Sequence, residues 1–315
     1  GMKKNRFCAS VAAAVLCALL TGCMGFPIAE RKTETDSTVP NASAETAALT
    51  ESITEAPTES VTEPTGRYVL EDYDGGVFTM RLPKGWQIET GGAYASYSFR
   101  AWDPDDPDMQ IFYYGEMGPY FKSSAAKELY QSISTVPGDT NVSLPVMETA
   151  TLEYCLRGTA DYQAAFDAIV GSGFRFAEIN ELEIESETPI TTVLSSIALS
   201  ESVLKGSLTS TTGGRCTGVF QGTIVDAGAS VINGIDIAPS RAALNVFGII
   251  APEGSFDEVA EVLTEALTSF RFTDEYIQEG INYTDLIGEN AMERSRQNMA
   301  MMDAVVDNFL LYIRQ

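Results

Sequence analysis

Between Pro27 and Gly66 the chain is built almost entirely of Thr, Ser, Glu, Ala and Pro, and this stretch decides where a fold can form. Thr-Glu recurs at 50–51, 54–55, 58–59 and 62–63. With so little apolar surface, such a segment cannot offset the entropy it would lose on ordering. Pro40, Pro57 and Pro64 stiffen it, and repulsion among its glutamates extends it. A disordered tether is expected over 23–66, which confines the packed core to residues from Arg67 onward.

Ahead of the tether stand Lys3, Lys4 and Arg6, then an apolar run from Phe7 to Leu20. This is the layout of a secretory leader. The run is shorter than the roughly 20 apolar residues a membrane helix needs. It closes on Leu20-Thr21-Gly22-Cys23, which resembles the lipobox of bacterial lipoproteins. The resemblance implies removal of residues 1–22, lipid on Cys23, and a mature protein anchored to the outer face of the cytoplasmic membrane.

The chain carries 20 basic and 44 acidic residues, a net charge of −24 that loss of the three leader cations would deepen to −27. That charge excludes nucleic acid as a partner, since phosphate backbones demand Lys and Arg clusters. Anionic lipid heads would repel it too, so the lipid itself must hold the membrane. The chain has no histidine, which removes His-based triads, His-ligated zinc and the commonest general base. No cofactor motif is found. Past Cys23 only Cys155 and Cys216 remain, and outside the cytoplasm they can pair or stand as two separate buried thiols.

From residue 67 the pattern is strand-rich. Phe78, Met80 and Leu82 alternate with polar residues before Pro83-Lys84-Gly85-Trp86 breaks the run. Ala95, Tyr97, Phe99 and Ala101 fall on one face of a second strand, opposite Tyr94, Ser96, Ser98 and Arg100. Met109–Tyr114, apolar throughout, predicts a central strand. Helices are expected near Ser123–Ile133 and within Thr149–Val170. Further strands are expected at 174–185, at 202–211 and 215–226 joined through Gly213-Gly214, and at 242–251. Ser255 with Glu258 reads as a capping box, followed by Phe256, Val259, Leu263, Leu267 and Phe270 at helical spacing. Phe270-Arg271-Phe272 then reads as a closing edge strand. The organisation is a leader at 1–22, the tether at 23–66, a domain at 67–275 and a helical appendage at 276–315.

Two segments, Phe78–Trp86 and the helix that runs into Ser269-Phe270-Arg271-Phe272, resemble the bookends of PsbP-like domains. The resemblance spans about 68 to 275 and implies an α+β fold, an antiparallel sheet sandwiched by helices. It also implies a largely non-catalytic family whose members bind other proteins. The middle, about 135 to 240, is longer than the usual domain. The overall layout, with tether and long C-terminal helix, is similar to uncharacterised lipoproteins of gut Firmicutes.

Four patterns carry candidate chemistry. Ser124-Ala125-Ala126-Lys127 has the Ser-x-x-Lys spacing of penicillin-binding enzymes without their partner motifs. Asp103, Asp105, Asp106 and Asp108 crowd one turn and form a weak cation candidate, although two prolines also suit a rigid turn. Glu181, Glu183 and Glu185 alternate with Leu182 and Ile184, which is expected of a solvated strand face and otherwise of paired hydrolytic carboxylates. In the tail from Tyr283, capped by Thr284 or Asp285, Met299, Met302, Val306 and Phe309 form an apolar stripe that can dock on the domain or on a partner.

The expectation is therefore a lipid-anchored, extracytoplasmic, non-enzymatic binding or assembly protein of a Gram-positive envelope, with a protein partner. The rival is a glycan hydrolase or small-ligand or cation binder that uses clustered carboxylates. Two or more acidic groups converging in a concave site would favour the rival, and exposed apolar surface the binding protein.

Overall fold

The computed structural model describes residues 68–171 and 173–287. The expectations for the leader, Cys23, the tether and the stripe Met299–Phe309 lie outside them. Strands run in the order β1 (Leu70–Asp74), β2 (Phe78–Pro83), β3 (Gln87–Gly91), β4 (Ser98–Asp103), β5 (Asp106–Tyr120), β6 (Asn180–Pro189), β7 (Ala198–Thr209), β8 (Arg215–Asp226), β9 (Val231–Ile232), β10 (Ile235–Asp236), β11 (Arg241–Pro252) and β12 (Arg271–Phe272). The helices are α1 (Ser124–Ile133), α2 (Leu152–Arg157), α3 (Thr159–Val170), α4 (Phe256–Thr268) and α5 (Asp274–Ile287). Among the described residues no helix is long and apolar enough to cross a membrane.

The framework is a seven-stranded sheet in the order β3-β4-β5-β11-β8-β7-β6, antiparallel at every pairing. As its two-sided apolar pattern requires, β5 is an inner strand. Alternation sends Phe99, Ala101, Ile111, Tyr113, Phe247 and Ile249 to one face. That face is closed by α4, through Phe256, Val259, Leu263 and Leu267, and by the small sheet β1-β2-β12. The opposite face carries Phe112, Tyr114, Leu204, Phe220, Val246 and Ile250 under α2, α3 and the segment 173–179. The fold class is thus an antiparallel sheet between layers that each include helices.

Several local expectations are corrected. The apolar periodicity of Phe174–Ile179 does not make a strand, because side chains take its N–H groups. Arg175 N donates to Glu89 Oε1 at 2.8 Å, Phe176 N to Gln163 Oε1 at 2.9 Å, and Ala177 N to the Tyr114 hydroxyl at 2.6 Å. Ser255 heads α4 without the capping box: its hydroxyl turns to Pro252 O at 3.3 Å. The second strand begins only at Ser98, after a 3₁₀ turn at Tyr94–Ser96. Helix α5 starts at Asp274 rather than at Tyr283, and Thr273 receives the N–H of Tyr276 on its hydroxyl and that of Ile277 on its carbonyl. Tyr276 is buried in the first core against Tyr94, Tyr97 and Phe272, so the 275/276 boundary cuts through the domain. The expected hairpin between β7 and β8 is present, with Gly213 at φ +84° in its turn.

Candidate functional site

The end of the sheet where β7 begins and β8 finishes carries two loops that expose aliphatic side chains. The first, 190–197, is organised by Glu201 of β7, which is only 9% exposed. Thr192 and Ser195 donate their hydroxyls to its carboxylate, and Thr223 of β8 adds a third at 3.0 Å. The same loop hydroxyls accept backbone donors, Thr192 N on Ser195 Oγ at 2.9 Å and Leu194 N on Thr192 Oγ1 at 3.0 Å. Leu194 is thereby turned into the protein while Val193, Ile197 and Leu199 stand 50, 43 and 52% exposed.

The second loop bears the β9–β10 hairpin and is clamped by Lys122. Its ammonium donates to Gly228 O at 2.6 Å, pairs with Asp226 at 2.9 Å, and meets Asp236. Partial burial works to raise the Asp236 carboxyl, but Lys122 and the N–H groups of Ser230 and Ala238 outweigh it and hold the group below its ordinary range. The clamped hairpin leaves Val231 and Ile232 64 and 37% exposed. Ala198 pairs with Val225 and Ala227 N bonds Ser240 O, so both loops belong to the same end of the sheet.

A cleft of about 460 Å³ opens elsewhere, on the second face, between β4, the first turns of α3 and the segment 175–180. Arg100, Arg175, Gln163, Glu178, Phe176 and Ile179 are among its lining. The Arg100 guanidinium lies 4.7 Å from the Trp102 ring centroid and reaches Glu89 at 3.3 Å. Arg175 pairs with Asp167 at 2.8 Å, and Gln163 ties the wall by donating to Asp167 and to Phe174 O. Glu178 supplies the one carboxylate among the lining residues.

The sequence candidates fall in separate places. Asp103 accepts the Tyr68 hydroxyl at 2.5 Å and Asp108 that of Thr212 at 2.6 Å, on opposite sides of the tight β4–β5 turn that holds Asp105 and Asp106. Among the described residues no three His, Cys, Asp or Glu side chains are placed to hold a metal ion. Ser123, not Ser124, caps α1, and the Ser124 hydroxyl donates to Glu148 at 2.8 Å. The three-glutamate face of β6 is broken by register shifts at 180–183 and 184–186. Glu181 accepts from Thr209 and Glu183 pairs with Arg215. Cys155 and Cys216 are free thiols. Leu152, one turn before Cys155, packs over Gly222, and six strand residues put Cys216 about 20 Å from there, beyond the ~7 Å reach of a disulfide.

Sequence reasoning missed the cleft and the Glu201 network. Arg100 alternates with Phe99 and Ala101, which is the signal that a cation faces the second side. Glu201 gave no signal, since its hydroxyl donors come from a loop and the adjacent strand.

No protein-family model matches the chain, and no curated protein matches it. Among solved structures it is similar to cyanobacterial PsbP (CyanoP) from Synechocystis sp. PCC 6803, with 14% identity and a TM-score of 0.31. The similarity covers 68% of this chain and 99% of that one. That neighbour bears the name of the family the sequence bookends resemble. At this score it carries no argument, and the fold class rests on the sheet and helices themselves.

Proposed function

We propose that this chain is a lipid-anchored, extracytoplasmic binding or assembly protein of the cell envelope. It carries no catalytic site of its own and docks a protein partner at the loop end of its sheet. One observation carries the reading: five aliphatic side chains stand exposed at this end of the sheet, Val193 and Ile197 on the loop organised by Glu201, Leu199 at the start of β7 beside it, and Val231 and Ile232 on the hairpin clamped by Lys122. Scattered exposed aliphatics are ordinary, but their concentration at one end of a sheet, on pinned loops, is how protein-binding surfaces are built. The hydrolytic alternative requires a second carboxylate facing Glu178, and the nearby Glu89 and Asp167 are engaged with arginines.

The test is crosslinking of the full lipidated chain in its host, with identification of what is recovered. A discrete envelope protein is expected with the wild type and should be lost in Ile197→Asp/Leu199→Asp, while the folded body melts as before. Equal recovery with that variant sinks the reading. Cys23→Ala should release the chain from the membrane fraction, and retention there would refute the anchor.

A further inference from the structure

We propose that the cleft beside α3 binds a small zwitterion, an amino acid or a short peptide, its carboxylate against Arg100 and Arg175 and its ammonium against Glu178. The inference is independent of the protein-docking surface, which lies at the end of the sheet. The size is right, since about 460 Å³ falls in the range of small-molecule sites.

The lining brings opposite charges together with unused bonding capacity. Each guanidinium has five N–H donors, and one carboxylate contact each, to Glu89 and to Asp167, leaves most of them available. The cation–π contact with Trp102 holds the Arg100 guanidinium before any ligand arrives, which lowers the entropy lost on binding. Glu178 has no hydrogen-bond or ion-pair partner among the described residues. Phe176 and Ile179 give an apolar wall for a side chain.

Net charge selects among ligands. Glu89, Asp167 and Glu178 outnumber the two arginines by one charge, and the whole chain is at −24. A plain anion is repelled on approach and a plain cation finds the guanidiniums, whereas a molecule of zero net charge with both groups meets neither penalty.

The test is calorimetric titration of the full chain with L-alanyl-L-alanine, against propionate and ethylamine as carries-one-group comparators. The dipeptide should bind at least about tenfold more tightly than either comparator. Glu178→Gln should weaken the dipeptide about tenfold while propionate binds no more weakly than before, and the half-exposed Arg175→Gln should weaken both dipeptide and propionate. Arg100→Gln should abolish binding, with its melting curve checked against the wild type. No dipeptide binding, equal binding of dipeptide and propionate, or wild-type affinity in Arg175→Gln overturns the proposal.

Discussion

The two faces of the seven-stranded sheet are closed by different means. On the first, α4 and the small sheet satisfy their own backbones and lay an aromatic cluster on the strands. Phe270 sits 4.9, 5.2 and 5.3 Å, centroid to centroid, from Phe99, Phe78 and Tyr113. On the second, the segment 173–179 has no ladder and hangs from the side chains of Glu89, Gln163 and Tyr114. A cover made of regular elements seals its face. A cover held by side chains keeps polar groups at the surface, and this is where the cleft opens.

Alkali should produce the largest effect, because many buried protons must leave. Burial pushes the Cys155 thiol up to about 12 and the Cys216 thiol up to about 11, and it raises Tyr97, Tyr113, Tyr114, Tyr120 and Tyr162 well above the ordinary phenol range. A raised folded-state value means the stabilisation is complete while the unfolded groups are still protonated, below about pH 9, and is lost as pH climbs through about 12. Both thiols and Tyr114, Tyr120 and Tyr162 belong to the second core. Denaturant midpoints should hold to about pH 9 and fall steeply above it, with amide exchange rising first under α2 and α3. A flat midpoint to about pH 11 would contradict the burial of these groups.

Phe270→Ala should cost about 3–5 kcal/mol, a fall of roughly 10 °C in Tm for a body of this size. Phe176→Ala removes a comparable ring, in edge contact with Tyr114, Tyr162 and Phe174, yet it should cost about 3 kcal/mol or less. The irregular segment can relax into the gap, and the first face cannot. Equal losses in urea titrations would abolish the distinction between the two covers.

The same contrast explains what could be read from the sequence. Periodicity located α4 and the β7–β8 hairpin, whose backbone bonds close locally, and it located β5 because an apolar run on both faces marks an inner strand even though one of its ladder partners, β11, lies far off in sequence. It misassigned 174–179, where Phe174, Phe176 and Ile179 suit a strand but the partners of the N–H groups lie 86, 13 and 63 residues away in sequence. It placed the appendage too late, since Tyr276 and Thr273 matter only once Tyr94 and Tyr97 are beside them. For the candidate sites, exposed glutamates and aspartates drew the eye by composition. The arginines of the cleft and buried Glu201 depend on which strands become neighbours.

Tyr114→Phe isolates one suspending bond. The ring packing against Phe112 at 4.4 Å stays, while the Ala177 N–H loses its acceptor. A buried donor left without a partner costs about 1–3 kcal/mol. The loss should appear in exchange at Arg175, Phe176 and Ala177 before it appears elsewhere. Exchange unchanged at those three amides would show that the segment does not hang from Tyr114.

The smallest effect separates the docking loop from both faces. Glu201 accepts three hydroxyls, and a glutamine there keeps one acceptor oxygen but offers an amide NH2 that only donates. A hydroxyl can turn to accept from it, so Glu201→Gln should cost about 1 kcal/mol. Turning either loop hydroxyl disturbs the N–H of Thr192 or Leu194 that it accepts, so exchange at these two amides should quicken while the core is unchanged. The carboxylate is then what holds Val193 and Ile197 outward, and capture of a partner should weaken in step with the loosened loop. Fast exchange with undiminished capture would mean that the loop end binds without needing to be held, and slow exchange would remove Glu201 from any part in presenting it.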